Sequence, residues 1–314
     1  MIKVFIDGKA GTTGLKIFDR LSQRSDLEIL TLEESLRKDS AARKEMLNKA
    51  DIAFLCLPDA AAREAVSLID NPDTVVIDTS TAHRTNPDWA YGFPELSDDF
   101  YNKVRISKRI AVPGCHASGF IALIYPLVSA GIISPDTLLC AFSITGYSGG
   151  GKQMIADYED ENRQQALSSP RQYGVAQMHK HIPEMTAITG ISMSPVFSPV
   201  VADFYSGMQV TVPLHSSMLL AGNTIENIKE AYRTKYADSL VRFVEKMDES
   251  GFISSNELTG YDNMQITVEG NEDRILLIAR YDNLGKGASG AAVECMNIAL
   301  GLDKTTSLVI KDVN

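Results

Sequence analysis

The chain has 314 residues, 44% of them hydrophobic, and a formal net charge of −10. This length predicts roughly two domains, each with enough apolar residues for a core. The acidic balance, without a long basic run, argues against nucleic acid but leaves room for a small anionic substrate. The four cysteines are far apart and form no CxxC pair, so we expect neither disulfides nor a structural metal. With no signal-peptide pattern and no run of about 18 apolar residues, we expect a soluble cytoplasmic protein with no membrane partner.

The first 115 residues alternate between strand and helix patterns. Strands are predicted at 3–7, 27–32, 52–57 and 74–78, and helices at 14–22, 41–49 and 60–69. This βαβ order predicts a Rossmann-type, doubly wound parallel sheet.

The pattern changes near residue 138. Strands are predicted at 138–145, 208–212, 264–268 and 275–281, with fewer helices between them. They predict a second, α+β domain with a mixed or antiparallel sheet. Residues 287–300 show helical spacing, and 168–173 are predicted to be a mobile loop.

A glycine-rich turn follows the first predicted strand and opens the first helix. Its spacing is GxxGxxG rather than the dinucleotide pattern GxGxxG. A turn of this kind can bring a pyrophosphate to the N–H groups at a helix N-terminus, although it can also be a tight turn with no ligand. The predicted dinucleotide-binding residues are Gly8, Ala10, Gly11, Thr12, Thr13 and Gly14.

The segment after the second strand bears on the choice of cofactor. An acidic residue there favours NAD, and cations favour the 2′-phosphate of NADP. Glu33 and Glu34 come first, and Ser35, Arg37 and Lys38 follow. We favour NADPH, although this loop can also be an ordinary solvated turn.

Cys115 lies in the run Pro113-Gly114-Cys115-His116-Ala117-Ser118-Gly119. Pro and Gly allow a sharp bend that leaves the sulfur at a helix N-terminus, where unpaired N–H groups stabilise a thiolate. We predict a nucleophile, and the alternative is a buried core cysteine.

Two of the five histidines occur in the segment His179-Lys180-His181-Ile182-Pro183-Glu184. A thiol nucleophile needs a proton acceptor and donor, and histidine titrates in the useful range. We predict that His179 or His181 has this role, with Glu184 orienting one of them. An ordinary polar loop is the alternative, and an i, i+2 pair with one carboxylate is a poor zinc set.

Three successive glycines follow a predicted strand in Thr145-Gly146-Tyr147-Ser148-Gly149-Gly150-Gly151-Lys152. Such a run can expose several backbone N–H groups to an anion beside a cation. We predict a phosphate or carboxylate site, and the alternative is a flexible hairpin linker.

Six blocks in this order closely resemble the N-acetyl-γ-glutamyl-phosphate reductases in their shorter bacterial form, over essentially the whole chain. The blocks are Gly8/Gly11/Gly14; Ala82-His83-Arg84 with Tyr91-Gly92-Phe93-Pro94-Glu95-Leu96; Pro113-Gly114-Cys115; Gly146 to Lys152; His179 to Glu184; and Asp282-Asn283-Leu284-Gly285-Lys286-Gly287-Ala288-Ser289-Gly290-Ala291-Ala292. The family usually has Tyr after the nucleophile, where this chain has His116. A charged His116 would lower the pKa of the thiol, and an uncharged one would only replace the aromatic packing.

The resemblance implies a fold like that of glyceraldehyde-3-phosphate and aspartate-semialdehyde dehydrogenases. Residues 1–115 with 285–314 would form the dinucleotide-binding domain, and 116–284 the catalytic and oligomerisation domain of a homo-oligomer. It also implies cofactor contacts from Asn283, Gly285 and Lys286. The residues expected to bind the substrate phosphate and carboxylate are Arg84, Ser148, Gly149, Gly150 and Lys152.

The implied reaction belongs to arginine biosynthesis. Cys115 would attack the acyl phosphate of N-acetyl-glutamyl 5-phosphate to form a thioester, NADPH would deliver hydride, and the His179/His181 site would protonate the oxyanion, with His179 favoured. Two alternatives remain at this point: an aspartate-semialdehyde dehydrogenase and, more remotely, a non-enzymatic NADPH-binding regulator.

Overall fold

The computed structural model describes residues 1–312, and the chain divides into two compact units. The first comprises Met1–Pro94, Asp98–Gly114 and Ala288–Leu308. The second comprises Glu95–Ser97, Cys115–Gly287 and the residues from Val309. The predicted division into 1–115 with 285–314 and 116–284 stays a prediction; in the structure Cys115 is the first residue of the second unit's main segment.

The first unit contains a six-stranded sheet in the order β2-β1-β3-β4-β6-β5, with every pairing parallel. This confirms the predicted Rossmann-type sheet. All four residues of β3 and of β4 are buried, as expected for central parallel strands. The strands are β1 (Ile2–Asp7), β2 (Leu27–Leu30), β3 (Ile52–Leu55), β4 (Val75–Asp78), β5 (Ala90–Tyr91) and β6 (Arg109–Ala111).

Five helices belong to the first unit: α1 (Thr12–Leu21), α2 (Ser40–Lys49), α3 (Asp59–Ser67), α4 (Asp98–Ile106) and, near the end of the chain, α9 (Gly290–Ala299). Ala292 and Met296 of α9 share a core with Val4 and Ile17. Arg24, three residues after the end of α1, also donates to the Asn297 side chain at 2.9 Å. The C-terminal helix is therefore part of the first unit's core. The predicted helix 287–300 is confirmed within two residues at each end, with its first turn, Gly285–Ser289, in π-helical form.

The second unit contains a seven-stranded mixed sheet in the order β11-β12-β13-β10-β7-β9-β8, which confirms the predicted mixed sheet. The predicted loop 168–173 is wrong in part, because β8 pairs antiparallel with β9 at the sheet edge. The strands are β7 (Cys140–Gly146), β8 (Arg171–Gln172), β9 (Val196–Ala202), β10 (Met208–His215), β11 (Val241–Phe243), β12 (Met264–Gly270) and β13 (Arg274–Tyr281).

The helices of the second unit are α5 (Cys115–Ser129), α6 (Gly151–Glu159), α7 (Ile182–Thr189) and α8 (Ile225–Lys235). Helix α5 is apolar around its whole circumference and is buried from His116 to Ile124. A helix of this composition belongs inside a domain, and α5 packs against β10, β13, α7 and α8. This packing fixes the position of its first residue, Cys115. No helix within residues 1–312 combines the length and the apolar character needed to cross a membrane.

Candidate active site

The glycine turn of the first unit brings backbone groups into close contact. Gly8 has φ +84°, and a Cβ there would lie 2.3 Å from the carbonyl oxygen of Cys56. A Cβ on Gly14 would lie 2.6 Å from the carbonyl oxygen of Gly8. Only glycine fits at these two positions, so the turn can pass close to both β3 and α1.

The turn leaves the N-terminus of α1 suited to an anion. Gly11 caps the helix without a side-chain hydrogen bond, and the first turn has no acidic residue. The hydroxyl oxygen of Thr12 is buried and finds no hydrogen-bond partner within residues 1–312. A buried hydroxyl without a partner is costly, so a pyrophosphate oxygen would satisfy Thr12 as well as the helix N–H groups. These residues fit a dinucleotide.

The predicted 2′-phosphate residues follow β2. Glu34–Leu36 form a 3₁₀ turn, and Arg37 pairs with Glu34 at 2.6 Å. Ser35, Arg37 and Lys38 are exposed. Since Glu34 neutralises one of the two cations, the predicted preference for NADP stays a prediction at this loop.

Cys115 occupies the first position of α5, as predicted for a thiolate at a helix N-terminus. The residue is only partly exposed. Gly287 lies beside it, since a Cβ on Gly287 would be 3.1 Å from the Cβ of Cys115. The small residues that follow Asn283 thus allow a close approach to the thiol.

Tyr281, the last residue of β13, holds the start of α5. Its hydroxyl donates to the carbonyl of Cys115 at 2.5 Å and accepts from the N–H of Gly119 at 3.0 Å. These two backbone groups are partners of each other in an uninterrupted helix. A Cβ on Gly119 would lie 2.7 Å from the Tyr281 hydroxyl. The sequence motif therefore includes Gly119 because Tyr281 packs against the helix there.

Three histidine rings cluster around the first turn of α5. The ring centroids of His179 and His181 are 4.7 Å apart, and those of His116 and His179 are 5.4 Å apart. Phe197 packs edge-on against His116 and His179. Tyr173 completes the cluster, with its hydroxyl 2.5 Å from Nε2 of His116.

Burial keeps two of these histidines, His116 and His179, uncharged. Burial, followed by the charges of His179 and Lys180, lowers the pKa of His116 to about 3. Burial and Lys180 lower the pKa of His179 to about 4. His116 is therefore uncharged at neutral pH, which excludes the predicted effect of a charged imidazole on the thiol and leaves the replacement of aromatic packing. An uncharged His116 cannot lower the pKa of the neighbouring thiol by its charge.

The two predicted acid/base histidines precede helix α7. Nδ1 of His179 accepts the backbone N–H of His181 at 3.2 Å, so the hydrogen of the uncharged His179 ring lies on Nε2. His179 is partly exposed and His181 is buried. Glu184, in the first turn of α7, is also buried. The assignment of their roles stays a prediction.

The glycine-rich run after β7 is not a flexible hairpin linker, because Tyr147–Gly150 form a 3₁₀ turn that leads into α6. The N–H of Ser148 donates to the Tyr205 carbonyl, and the N–H of Gly151 donates to the Ser148 carbonyl. Fewer N–H groups are therefore available to an anion than the sequence suggests. Lys152 is exposed and forms no ion pair in the described part of the chain.

Three other predicted contact residues have partners within the protein. The amide of Asn283 donates to Ser148 at 3.0 Å. Buried Lys286 pairs with buried Glu95. Buried Arg84 donates to the carbonyls of Val112 and Thr79 at 2.8 and 2.9 Å. These bonds give each residue a structural role, and their predicted roles toward cofactor or substrate stay predictions. Across residues 1–312 no His, Cys, Asp and Glu side chains are grouped to hold a metal ion.

Sequence reasoning missed Ser143, Tyr173 and Tyr281. Each is brought to the first turn of α5 from a distant strand or loop, with no fixed spacing from Cys115. Tyr173 had a weak signal, since it lies six residues before His179 and directly precedes Gly174.

Comparisons with known proteins agree with this architecture. Residues 3–103 match the family model of the semialdehyde dehydrogenase NAD-binding domain, and residues 115–283 match that of the dimerisation domain. Aspartate semialdehyde dehydrogenase II of Vibrio cholerae, solved with ASA, has a TM-score of 0.72 at 16% identity, over 96% of this chain and 98% of that chain. Aspartate semialdehyde dehydrogenase of Candida albicans, solved with NADP, has a TM-score of 0.64 at 15% identity, over 95% of this chain and 98% of that chain. The two likenesses show the fold.

A parallel dinucleotide-type sheet, together with a thiol that begins the buried helix of a mixed-sheet unit, defines a semialdehyde dehydrogenase. The N-acetyl-γ-glutamyl-phosphate reductase of Sinorhizobium medicae strain WSM419 is 46% identical over 305 residues, which cover 95% of this chain and 98% of the relative. That of Rhizobium rhizogenes strain K84 is 45% identical over the same shares. Within the semialdehyde dehydrogenases, the chain belongs to the N-acetyl-γ-glutamyl-phosphate reductases.

Proposed function

We propose that this enzyme reduces N-acetyl-glutamyl 5-phosphate with NADPH to N-acetylglutamate 5-semialdehyde and phosphate, in arginine biosynthesis. The observation that carries this proposal is the thiol of Cys115 at the N-terminus of α5, next to the clustered rings of His116, His179 and His181. The 44–46% identity to reductases of this name favours their substrate over an aspartyl phosphate. The catalytic thiol also argues against a non-enzymatic regulator.

The first step belongs to Cys115. Its thiolate attacks the acyl-phosphate carbon, a C–S bond forms, and the bond from that carbon to the phosphate oxygen breaks. The N–H groups at the start of α5 stabilise the negative sulfur before the attack. The product of this step is a thioester on Cys115, and inorganic phosphate leaves.

The glycine turn and Thr12 of the first unit would hold the dinucleotide, with Ser35, Arg37 and Lys38 proposed for the 2′-phosphate. When bound, NADPH supplies a hydride. Asn283, Gly285 and Lys286 stay predicted cofactor contacts.

We assign the proton donor to His179. Its Nε2–H is the donor of the uncharged ring, and the residue is more exposed than His181. Once the thioester carbonyl is reduced, its oxygen carries negative charge, and a hydrogen bond from Nε2 stabilises that charge until the C–S bond breaks. His181 and Glu184 support His179 or contact the substrate. Ser148, Gly149, Gly150 and Lys152 are proposed to bind the anionic groups of the substrate, and Arg84 is proposed for the carboxylate.

The reverse reaction tests this function. The purified chain is given N-acetylglutamate 5-semialdehyde, NADP and inorganic phosphate, and NADPH formation is followed. We expect a phosphate-dependent rate with kcat/KM at least about 100-fold above that for aspartate semialdehyde, the scale on which a site discriminates substrates that differ by polar groups. NAD in place of NADP tests the cofactor. Equal or faster turnover of aspartate semialdehyde, or turnover without phosphate, would overturn the proposal.

We also propose a homo-oligomer that forms through the sheet of the second unit. Phe142, Val196 and Leu276 lie on one face of this sheet by their strand register, and all three are exposed. An apolar sheet face of this kind is a common interface in symmetric oligomers. The cytoplasmic location stays a prediction.

A further inference from the structure

Three side chains of the second unit form a hydrogen-bonded chain that the steps above do not use. The hydroxyl of Ser143 on β7 lies 2.7 Å from Nδ1 of His116, and Nε2 of His116 lies 2.5 Å from the hydroxyl oxygen of Tyr173. His116, the middle member of these three, directly follows Cys115 in the sequence. We propose that Ser143 and His116 orient Tyr173 so that its hydroxyl donates a hydrogen bond to the substrate oxygen that becomes negative at Cys115. This inference rests on the proposed function and adds a second donor to it.

The direction of the chain follows from Ser143. This residue is fully buried, and Nδ1 of His116 is the one hydrogen-bond partner of its hydroxyl within residues 1–312. If the hydroxyl only accepted, its hydrogen would be buried without a partner, at a cost of about 1–3 kcal/mol. Ser143 therefore donates to Nδ1.

The tautomer of His116 is then fixed. Burial lowers the pKa of His116 to about 3, so the ring carries a single hydrogen at neutral pH. With Nδ1 accepting, that hydrogen lies on Nε2, which donates to the oxygen of Tyr173. The hydroxyl of Tyr173 uses its oxygen as an acceptor and keeps its own hydrogen for another group.

The position of Tyr173 indicates which group accepts its hydroxyl hydrogen. Because Nε2 of His116 donates to the hydroxyl oxygen of Tyr173, the hydroxyl hydrogen is available to a second group. Burial, and after it a negative charge on Cys115, raises the pKa of Tyr173. The hydroxyl therefore stays protonated as a donor, and it is held by His116, the residue that directly follows Cys115. The rings of Tyr173 and His179 have centroids 5.8 Å apart, so both donors come from one cluster.

Two donors suit the reduction step. As hydride adds to the thioester carbon, the π electrons of the carbonyl move onto its oxygen. They return to re-form the carbonyl as the C–S bond breaks and the thiolate of Cys115 leaves. Tyr173 and His179 stabilise the intermediate charge by hydrogen bonds, and Tyr173 neither gains nor loses its proton. A donor of this kind acts on the transition state more than on the bound substrate.

The variant Tyr173→Phe removes only the hydroxyl. We expect kcat to fall by about 10–100-fold with KM within about threefold of the parent, since removing one such donor costs up to about 10²–10³ in kcat. Tyr236→Phe is the matched control: its hydroxyl donates to the carbonyl of Ala122 within α5 and takes no part in the chemistry. The control should keep kcat within about twofold.

Ser143→Ala separates orientation from simple structural support. Without its donor, His116 can place its hydrogen on Nδ1, and the hydroxyl of Tyr173 then donates to Nε2 instead of the substrate oxygen. We expect kcat to fall by about 3–10-fold in the parent background and to be unchanged in the Tyr173→Phe background, because residues that act through one another are not additive. The ¹⁵N chemical shifts of His116 should show hydrogen on Nε2 in the parent and a mixture in Ser143→Ala.

The outcomes separate this proposal from the proposed function. A parent without phosphate-dependent activity would overturn the function, whereas an active parent whose Tyr173→Phe variant keeps its kcat would overturn the role of Tyr173. Hydrogen on Nδ1 of His116 in the parent, or equal effects of Ser143→Ala in both backgrounds, would overturn the orienting chain. The alkylation rate of Cys115 by iodoacetamide should stay within about threefold in Tyr173→Phe, since the thiol and its helix are intact.

Discussion

Cys56 and Cys115 lie in different units and show how little exposure says about a thiol. Both residues are partly exposed. Cys56 follows β3, and its N–H donates to the carbonyl of Asp7 at 2.8 Å. Burial, together with the charges of Asp78 and Asp7, raises its pKa to about 12. A thiol in these surroundings stays protonated at neutral pH.

Cys115 is placed among donors instead. It begins a helix of 15 residues, whose first N–H groups have no carbonyl partner within the helix, and the nearby rings of His116 and His179 are uncharged. The hydroxyl of Tyr281 holds the backbone of this first turn. Burial and the nearby carboxylates keep the thiol of Cys56 protonated, whereas the N–H groups at a helix N-terminus favour a thiolate at Cys115.

Replacing each cysteine by alanine tests this difference most strongly. We expect Cys115→Ala to lose at least about 10⁴-fold in kcat, as is usual when a covalent nucleophile is removed. Cys56→Ala should keep kcat within about threefold. Both are measured by phosphate-dependent NADP reduction, with circular dichroism to check folding. Comparable losses in both folded variants would contradict the assignment.

The region of Cys56 is sensitive to packing rather than to thiol chemistry. Gly8→Ala would place a Cβ 2.3 Å from the Cys56 carbonyl oxygen at φ +84°. We expect it to lower the free energy of unfolding by about 3 kcal/mol or more, because the backbone must shift as well as bear the strain. Urea denaturation measures the loss.

Gly131→Ala is the matched control for that variant. Gly131 also has positive φ, +66°, but no heavy atom lies within 4 Å of the Cβ position. Only the conformational cost of about 1 kcal/mol remains there. If the two variants lost equal stability, the contact between Gly8 and Cys56 would not be what requires glycine.

The sequence predicted those features that depend on local patterns. The strands and helices of the first 78 residues lie within two residues of their predicted ends, because buried parallel strands and amphipathic helices have strong periodicities. The helix that begins at Cys115 was predicted from the Pro-Gly turn before it. The family followed from six motifs in order.

Local sequence patterns did not predict which residues surround the thiol of Cys115. Tyr173 is 57 residues from its partner His116, Ser143 is 27 residues from it, and Tyr281 is 166 residues from Cys115. Contacts of this kind arise from tertiary packing and leave no fixed spacing. The sequence also could not show that burial keeps His116 uncharged, since the shift in its pKa depends on all the elements around it.

The buried histidines give the second unit an acid sensitivity that the carboxylate-lined region of Cys56 does not share. In an unfolded chain the pKa of His116 is near 6.5, and in the folded chain it is about 3. The unfolded state therefore binds more protons between these values, and the free energy of unfolding falls as pH is lowered from 6.5 toward 3. Between pH 6.5 and 4.5, His116 alone accounts for roughly 2–3 kcal/mol of this loss of stability.

The contribution of His116 is measured as the change in the free energy of unfolding with pH. The absolute free energy does not isolate it, because His116→Asn also loses its bonds to Ser143 and Tyr173 and is destabilised at every pH. Urea denaturation at pH 4.5, 5.5 and 6.5 should show a smaller loss of stability toward acid in His116→Asn than in the parent. A parental slope in His116→Asn would mean that His116 takes up its proton in the folded protein. His116 would then be a cation beside Cys115. A charged side chain, and not only the helix N–H groups, would then distinguish the thiol of Cys115 from that of Cys56.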